Sequence, residues 1–308
     1  MNNLIGDLII NKEYAEFVEK VFQMVSDKMG SQFRVRKECA NKNNDTIRRG
    51  INISDSKDTS PGLRITPTIY LEEYYERYMA GCDLAKIVRH IIKLYYEISS
   101  PFQFNMEYFE FDNMKDKICF KLINKGMNQN LLECMPHRSF CDLAVTYYVL
   151  IVNDESGVGT LPIDDHLMTY WGVNEDTLWE FANRNTRKLL PPLFQTVDEA
   201  LHGCNSEKEE CCSDELISYV LSNGRKHLGA ACILYEGILD DISEKIQSSY
   251  FILPSSIHEW FILADNGEPD KESCNALIQD TNSTQLAKED LLSDHVYYYD
   301  REQRKLFY

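Results

Sequence analysis

The stretch Ala144-Val145-Thr146-Tyr147-Tyr148-Val149-Leu150-Ile151-Val152 is the longest strongly apolar run of the chain. Its β-branched and aromatic residues predict a buried strand over residues 140–152. The turn-forming residues 153–157 follow, and residues 158–163 can return as the partner strand of a β-hairpin. The run is far shorter than the roughly 20 residues of a membrane-spanning helix, so no membrane segment is predicted.

Helical patterns flank this hairpin on both sides. Apolar residues at spacings of three and four predict a helix over residues 11–29, and Asn174 can cap another helix. Residues 229–234 have the pattern of a strand, and the runs 257–263 and 295–299 predict two strands of one sheet. The fold class expected is α+β, with mixed or antiparallel sheets and packed helices.

The length of 308 residues favours two closely associated parts. We place the first α+β part at residues 1–160 and the second at residues 161–308. The alternative boundary is the polar, acidic loop at residues 203–214, which includes Cys204, Cys211 and Cys212.

The formal net charge of −17 limits the classes of partner. Residues 1–60 contribute +1, residues 61–201 contribute −7 and residues 202–308 contribute −11. A field of this sign repels phosphate backbones and anionic membrane surfaces, so nucleic-acid binding is disfavoured unless folding brings basic residues together locally. The charge leaves open a basic partner, or mimicry of the charge of nucleic acid.

The basic residues Arg34, Arg36, Lys37, Arg48 and Arg49 form the one local cationic cluster of the sequence. On neighbouring strands they could create a small positive face. Solvated strand edges carry the same residues to prevent aggregation, and this interpretation is favoured.

The start of the chain lacks the basic and apolar regions of a signal peptide, which predicts a cytoplasmic protein with free thiols among its ten cysteines. Cys134, His137 and Cys141 have a spacing that could place three metal ligands together. Structural zinc sites usually combine two ligand pairs, and no second pair lies nearby. We therefore expect no metal and no cofactor, and keep this trio as an alternative.

Two polar segments supply catalytic candidates. Ser256 and His258 can share one face of a strand, whereas Glu259 points away. Asp294 precedes His295, and a carboxylate beside an imidazole can form a general base. A hydrolase would require Ser256, His258 and His295 to converge in one cleft. In a structural role, Ser256 would bond to the backbone of its turn instead.

Several blocks along the chain together resemble a known family. They include Thr66-Pro67-Thr68-Ile69-Tyr70-Leu71-Glu72, Pro136-His137-Arg138-Ser139-Phe140-Cys141-Asp142-Leu143-Ala144, Leu253-Pro254-Ser255-Ser256-Ile257-His258-Glu259 and Leu292-Ser293-Asp294-His295-Val296-Tyr297. The chain resembles an uncharacterised bacterial family known only as a numbered domain of unknown function. The resemblance implies an association with mobile genetic elements of gut-type bacteria, and it carries no established catalytic residues.

The sequence thus favours an accessory or regulatory protein of the cytoplasm that acts by binding a protein partner, with a role in mobile-element maintenance or in conflict with host defence. The alternative is a hydrolase-type enzyme that uses Ser256, His258, Asp294 and His295 of the C-terminal part.

Overall fold

The computed structural model describes residues 2–56, 68–98, 109–154, 157–202 and 218–308. The chain divides into two compact units. The first comprises Met1–Lys42 and Thr46–Glu110, and the second comprises Asn43–Asp45 and Phe111–Tyr308.

The first unit is a three-stranded antiparallel sheet packed against helices. Its elements are α1 (Asn2–Met29), β1 (Phe33–Lys42), β2 (Thr46–Asp55), β3 (Thr68–Tyr70), α2 (Glu72–Met79) and α3 (Leu84–Ile98). Strand β2 lies between β1 and β3. The apolar side of α1, including Val21 and Val25, is buried in one core with Ile51 and Ile53 of β2. Helix α1 begins earlier than the predicted residue 11.

The second unit opens with a four-stranded antiparallel sheet. Its elements are α4 (Phe111–Met114), β4 (Ile118–Asn124), α5 (Gln129–Leu132), β5 (His137–Phe140), β6 (Leu143–Asp154) and β7 (Gly157–Pro162). One side of β6 pairs with β4, and the other side pairs with β5 and β7. Residues 143–150 are all buried, which confirms the strand expected from the apolar run. The β6–β7 pairing confirms the hairpin.

A six-stranded sheet forms the rest of this unit. Its elements are α6 (Asp165–Trp171), α7 (Glu175–Leu189), β8 (Pro192–Thr196), α8 (Val197–His202), β9 (Ser218–Asn223), α9 (Ile238–Ile246), β10 (Tyr250–Ser256), β11 (Glu259–Ala264), α10 (Lys271–Thr284), β12 (Tyr297–Asp300) and β13 (Lys305–Phe307). The strand order is β13-β12-β10-β11-β9-β8, and every pairing is antiparallel. Since β11 and β12 both pair with β10, the prediction that residues 257–263 and 295–299 belong to one sheet is confirmed, as is the α+β fold class.

The boundary predicted near residue 160 falls inside the second unit. Residue 160 lies in β7, which pairs with β6, so the chain is held in the same sheet on both sides of that position. The alternative boundary at residues 203–214 lies outside the described residues.

One helical segment replaces a predicted strand. Residues Gly229–Leu234 form a 3-10 helix, which we call the 229–234 helix. Leu228, just before it, has a left-handed backbone with φ of 53°, so the chain turns instead of continuing extended. Within the described ranges, the helices are all too short or too polar to cross a membrane.

Candidate functional site

A groove opens on the second unit between the segment after β4 and the turn that joins β5 to β6. Its volume is about 590 Å³. We call this cavity the groove, and its lining residues are Lys125, Gly126, Gln129, Leu132, Glu133, His137 and Asp142. Leu132 is buried, and Lys125, Glu133, His137 and Asp142 are the ionisable residues of the same lining. The lining therefore combines an apolar patch with charges of both signs.

The first wall of the groove is fixed by side chains at the end of β4. Asn124 Oδ1 accepts a hydrogen bond from the Met127 amide at 2.8 Å, and Asn128 Nδ2 donates to the Asn124 carbonyl at 2.7 Å. Lys125 Nζ reaches across to Ser139 Oγ of β5 at 2.8 Å. These bonds hold residues 124–128 in one conformation before any ligand arrives.

Asp142 lines the groove and contacts three side chains of the C-terminal segment. Its carboxylate accepts hydrogen bonds from Tyr297 Oη and, at 3.2 Å, from Ser293 Oγ. His295 Nε2 lies 3.7 Å from the same carboxylate. Burial, followed by the contact with Asp142, raises the pKa of the Tyr297 phenol, so Tyr297 stays a proton donor at neutral pH.

His295, one of the catalytic candidates, lies between two carboxylates. Its Nδ1 lies 3.0 Å from Asp294 Oδ1 and 3.2 Å from Ser293 Oγ, while Nε2 faces Asp142. The side chain keeps 31 % of its surface exposed. The structure therefore brings together the predicted pair Asp294 and His295 with Asp142, Ser293 and Tyr297. We call these five residues the Asp142 cluster.

The proposed metal trio has a different environment. Cys134 Sγ contacts the Leu131 carbonyl, His137 Nδ1 lies 2.9 Å from the Met135 carbonyl, and Cys141 has a left-handed backbone. Burial and the neighbouring Asp142 raise the pKa of the Cys141 thiol to about 11, which disfavours a metal-binding thiolate. Among the described residues, no group of three His, Cys, Asp or Glu side chains could hold a metal ion.

The other catalytic pair does not form a nucleophile and its base. Ser256 Oγ accepts a hydrogen bond from the His258 amide at 3.1 Å, the backbone contact expected of a structural role. The imidazole of His258 instead accepts a bond at Nδ1 from the Leu228 amide at 3.0 Å. Its Nε2 lies 3.6 Å from Asp290 Oδ1. His258 and His295 thus contact different partners.

His227 lies beside His258 in a strained loop. The ring centres are 5.7 Å apart, and both neighbours of His227, Lys226 and Leu228, have positive φ angles. His227 Nε2 is buried without a hydrogen-bond partner. Burial first, and then the electrostatic effect of the neighbouring His258 and Lys121, lower the pKa of His227 below its ordinary value of 6.5.

Acidification is therefore expected to destabilise the second unit through His227. The unfolded chain binds a proton at His227 near pH 6.5, whereas the folded protein binds this proton only at a lower pH. The contribution of neutral His227 is present above that pH and is lost as the pH falls below it. Urea unfolding, followed by the fluorescence of Trp171, Trp179 and Trp260, should show a midpoint that drops between pH 7.5 and pH 5.5, roughly the range of histidine titration.

The change His227→Gln should make that drop smaller. His166→Gln, at an exposed position of α6, is the matched control and should keep the pH dependence of the original protein. An equal drop in both variants would exclude His227 as its source.

A family model matches most of the chain. The model of a family of unknown function (DUF5688) matches residues 14–301. No curated protein and no solved structure matches the chain.

Proposed function

The chain belongs to this family of unknown function, and because membership brings no activity with it, we propose from the groove that the protein is an accessory or regulatory protein that binds a protein partner. The observation that carries the proposal is the lining of the groove, which combines the apolar Leu132 with four ionisable side chains. Protein interfaces likewise combine apolar and polar side chains.

The shape of the groove favours a segment of a protein over a small molecule. Its volume of about 590 Å³ would suit either ligand. However, Lys125, Gln129 and Glu133 are exposed, so the groove is open along one side. An open groove with fixed walls accepts one or two side chains of a longer segment without a large conformational change.

The charge of the second unit favours a basic partner. Residues 111–308 carry a formal charge of −16, whereas residues 1–110 carry −1. Two carboxylates, Glu133 and Asp142, lie in the groove with one lysine. A partner segment with Lys or Arg would therefore be steered toward the groove and would pair with these carboxylates.

The positions of the hydroxyl groups support binding over the alternative of a hydrolase. Ser293 carries a hydroxyl near His295, but this residue is only 3 % exposed and its hydroxyl donates a hydrogen bond to Asp142. Ser256 is bonded to the backbone of its own turn. A nucleophile needs an accessible hydroxyl whose proton passes to the base.

The proposal also includes a place in the cell. We assign the protein to the cytoplasm, where the described cysteines, all of them free, would stay reduced. A role in mobile-element maintenance or in conflict with host defence rests on the resemblance of the sequence alone.

Selection from a displayed library of random peptides tests the groove. The purified protein is expected to enrich peptides rich in Lys and Arg. Glu133→Arg should weaken binding of an enriched peptide roughly tenfold, because a favourable charge pair becomes a repulsive one.

The matched control is Glu244→Arg, which makes the same charge change at an exposed position of α9. It should bind the peptide as the original protein does. Enrichment without any basic preference, or equal binding by both variants, would contradict the proposal.

A further inference from the structure

The register of the first sheet separates the basic cluster of the sequence onto two faces. Directly opposed residues of antiparallel strands share a face. Val35 pairs with Ile53, so the odd-numbered residues of β1 face the core. Arg34, Arg36 and Lys42 therefore lie on the other face, which we call the open face.

The residues of β2 and β3 that share the open face follow from the same pairings. Lys42 pairs with Thr46, and Ala40 with Arg48. Gly50 pairs with Glu38 on one side and with Tyr70 of β3 on the other. The even-numbered residues of β1 and β2 are exposed or partly exposed, apart from Gly50.

Four cationic side chains lie on this face, and two of them lie over one aromatic ring. Lys42 Nζ lies 4.4 Å from the centre of the Tyr70 ring, and Arg48 Cζ lies 5.7 Å from it. Arg34 and Arg36 are exposed, and neither forms an ion pair with a carboxylate of the described residues. Among the paired residues of β1, β2 and β3 on this face, Glu38 is the acidic one.

The other two basic residues of the cluster have partners on the opposite face. Lys37 forms an ion pair with Glu19 of α1 at 2.6 Å, and its amine lies over the Phe22 ring. Arg49 lies over the Tyr14 ring. Protection of a strand edge from aggregation would need charges on the edge strand alone, whereas Arg48 and Tyr70 extend the open face across the sheet.

We infer that the open face binds single-stranded nucleic acid. The net charge of the chain disfavours nucleic acid only if folding creates no basic surface locally. The pairing of β1 with β2 creates such a surface on the first unit, whose own net charge is close to zero. Alternate residues of a strand are roughly 6.6 Å apart, so Arg34 and Arg36 present two guanidinium groups along one line. Proteins that bind single strands combine such a cationic track with an aromatic ring for base stacking.

The aromatic ring favours nucleic acid over an acidic protein segment. A chain of carboxylates would need only the cations, whereas Tyr70 offers a surface on which a base can stack once Lys42 turns to a phosphate. Thr68, next to Tyr70 on the same face, adds a hydroxyl that can bond to a base or sugar.

Fluorescence anisotropy with a labelled oligothymidylate tests the inference on the full chain. Arg34→Gln with Arg36→Gln should weaken binding roughly tenfold and lower the slope of log affinity against log salt by roughly 1.4, about 0.7 for each phosphate contact. Tyr70→Leu should weaken binding roughly tenfold through lost stacking, with the salt slope unchanged.

The matched control removes the same charge elsewhere on the first unit. Lys37→Gln with Lys93→Gln changes two exposed lysines, one on the core-facing side of β1 and one on α3, and should bind as the original protein does. Polyglutamate should bind at least roughly tenfold more weakly than the oligonucleotide, because it has no base to stack on Tyr70 and one stacking contact contributes about that factor. Absence of binding, equal loss in the control, or equal affinity for polyglutamate would each overturn the inference.

Discussion

Replacing Gly229 with alanine is expected to destabilise the second unit by about 3 kcal/mol. A Cβ at this position would lie 2.3 Å from Ser222 Oγ, 2.5 Å from the His258 carbonyl oxygen and 2.8 Å from the Asn223 amide nitrogen. Two of these three atoms belong to the backbone, which cannot move aside as a flexible side chain can. The clash would separate the 229–234 helix from β9 and from the turn before β11.

Gly224→Ala is the matched control for this prediction. Gly224 lies five residues earlier, is exposed, and has nothing within 4 Å of the position that a Cβ would take. Its effect on the free energy of unfolding should stay within about 0.5 kcal/mol. Urea unfolding followed by tryptophan fluorescence measures both variants, because all three tryptophans belong to the second unit. Similar stability of the two variants would contradict the geometry.

A third variant separates the side-chain clash from the backbone clash. Ser222→Ala combined with Gly229→Ala removes the hydroxyl at 2.3 Å but leaves the His258 carbonyl and the Asn223 amide in place. Only part of the lost stability should return. Full recovery of the free energy of unfolding would mean that the backbone at His258 and Asn223 can move to accommodate the Cβ.

This region also marks the limit of what sequence patterns can predict. Gly229-Ala230-Ala231-Cys232-Ile233-Leu234 is apolar throughout, and periodicity cannot distinguish a buried strand from a buried helical turn in so short a run. The structure is decided by tertiary contacts, among them the bond from Trp260 Nε1 to the Ala230 carbonyl at 2.7 Å. Where a segment has a clear period or turn, as in the β6–β7 hairpin, the prediction was correct.

The candidate site was only half predictable for a related reason. Ser293, His295 and Tyr297 alternate along the chain, so a period of two already indicates that they share a face. Asp142 accepts hydrogen bonds from Ser293 and Tyr297 and lies 3.7 Å from His295 Nε2, yet it stands 151 residues before Ser293 in the chain. No local pattern connects positions so far apart, and only the folded chain shows which carboxylate the C-terminal segment meets.

The basic cluster shows a third kind of limit. The sequence places Arg36 next to Lys37 and Arg48 next to Arg49, and it predicts that strands carry them. Which residues share a face depends on the pairing of β1 with β2, and a shift of one residue would exchange the faces. The sequence therefore supports two interpretations of the cluster, and the register selects between them.

The replacement Asn44→Ala is expected to destabilise the second unit by about 4 kcal/mol. Asn44 is fully buried in the turn between β1 and β2. Its Nδ2 donates to the carbonyls of Lys288 and Leu291 at 2.7 Å each, and its Oδ1 accepts from Asn128 Nδ2 at 2.7 Å. Alanine removes the three hydrogen bonds of this buried side chain, and it also disfavours the left-handed backbone, with φ of 58°.

Asn44→Gly separates these two contributions. Glycine tolerates the left-handed backbone and keeps the bond from the residue 44 amide to Asn128 Oδ1, but it loses the three side-chain bonds. Its cost should be about 1 kcal/mol smaller than that of alanine. Equal costs would mean that backbone conformation contributes nothing at this position.

Asn44→Asp tests whether the hydrogen bonds or the packing of the turn stabilise it, because aspartate has nearly the same shape as asparagine. A carboxylate would still accept from Asn128 Nδ2, but its second oxygen would face the Lys288 and Leu291 carbonyls, which offer no proton. If the hydrogen bonds dominate, this variant should be at least as unstable as Asn44→Gly at pH 7, measured by tryptophan fluorescence in urea. Protonation of the carboxyl would restore one donor, so part of the loss should return as the pH falls toward about 4. Stability close to that of the original protein at pH 7 would show that the shape of the side chain, and not its donors, holds the turn in place.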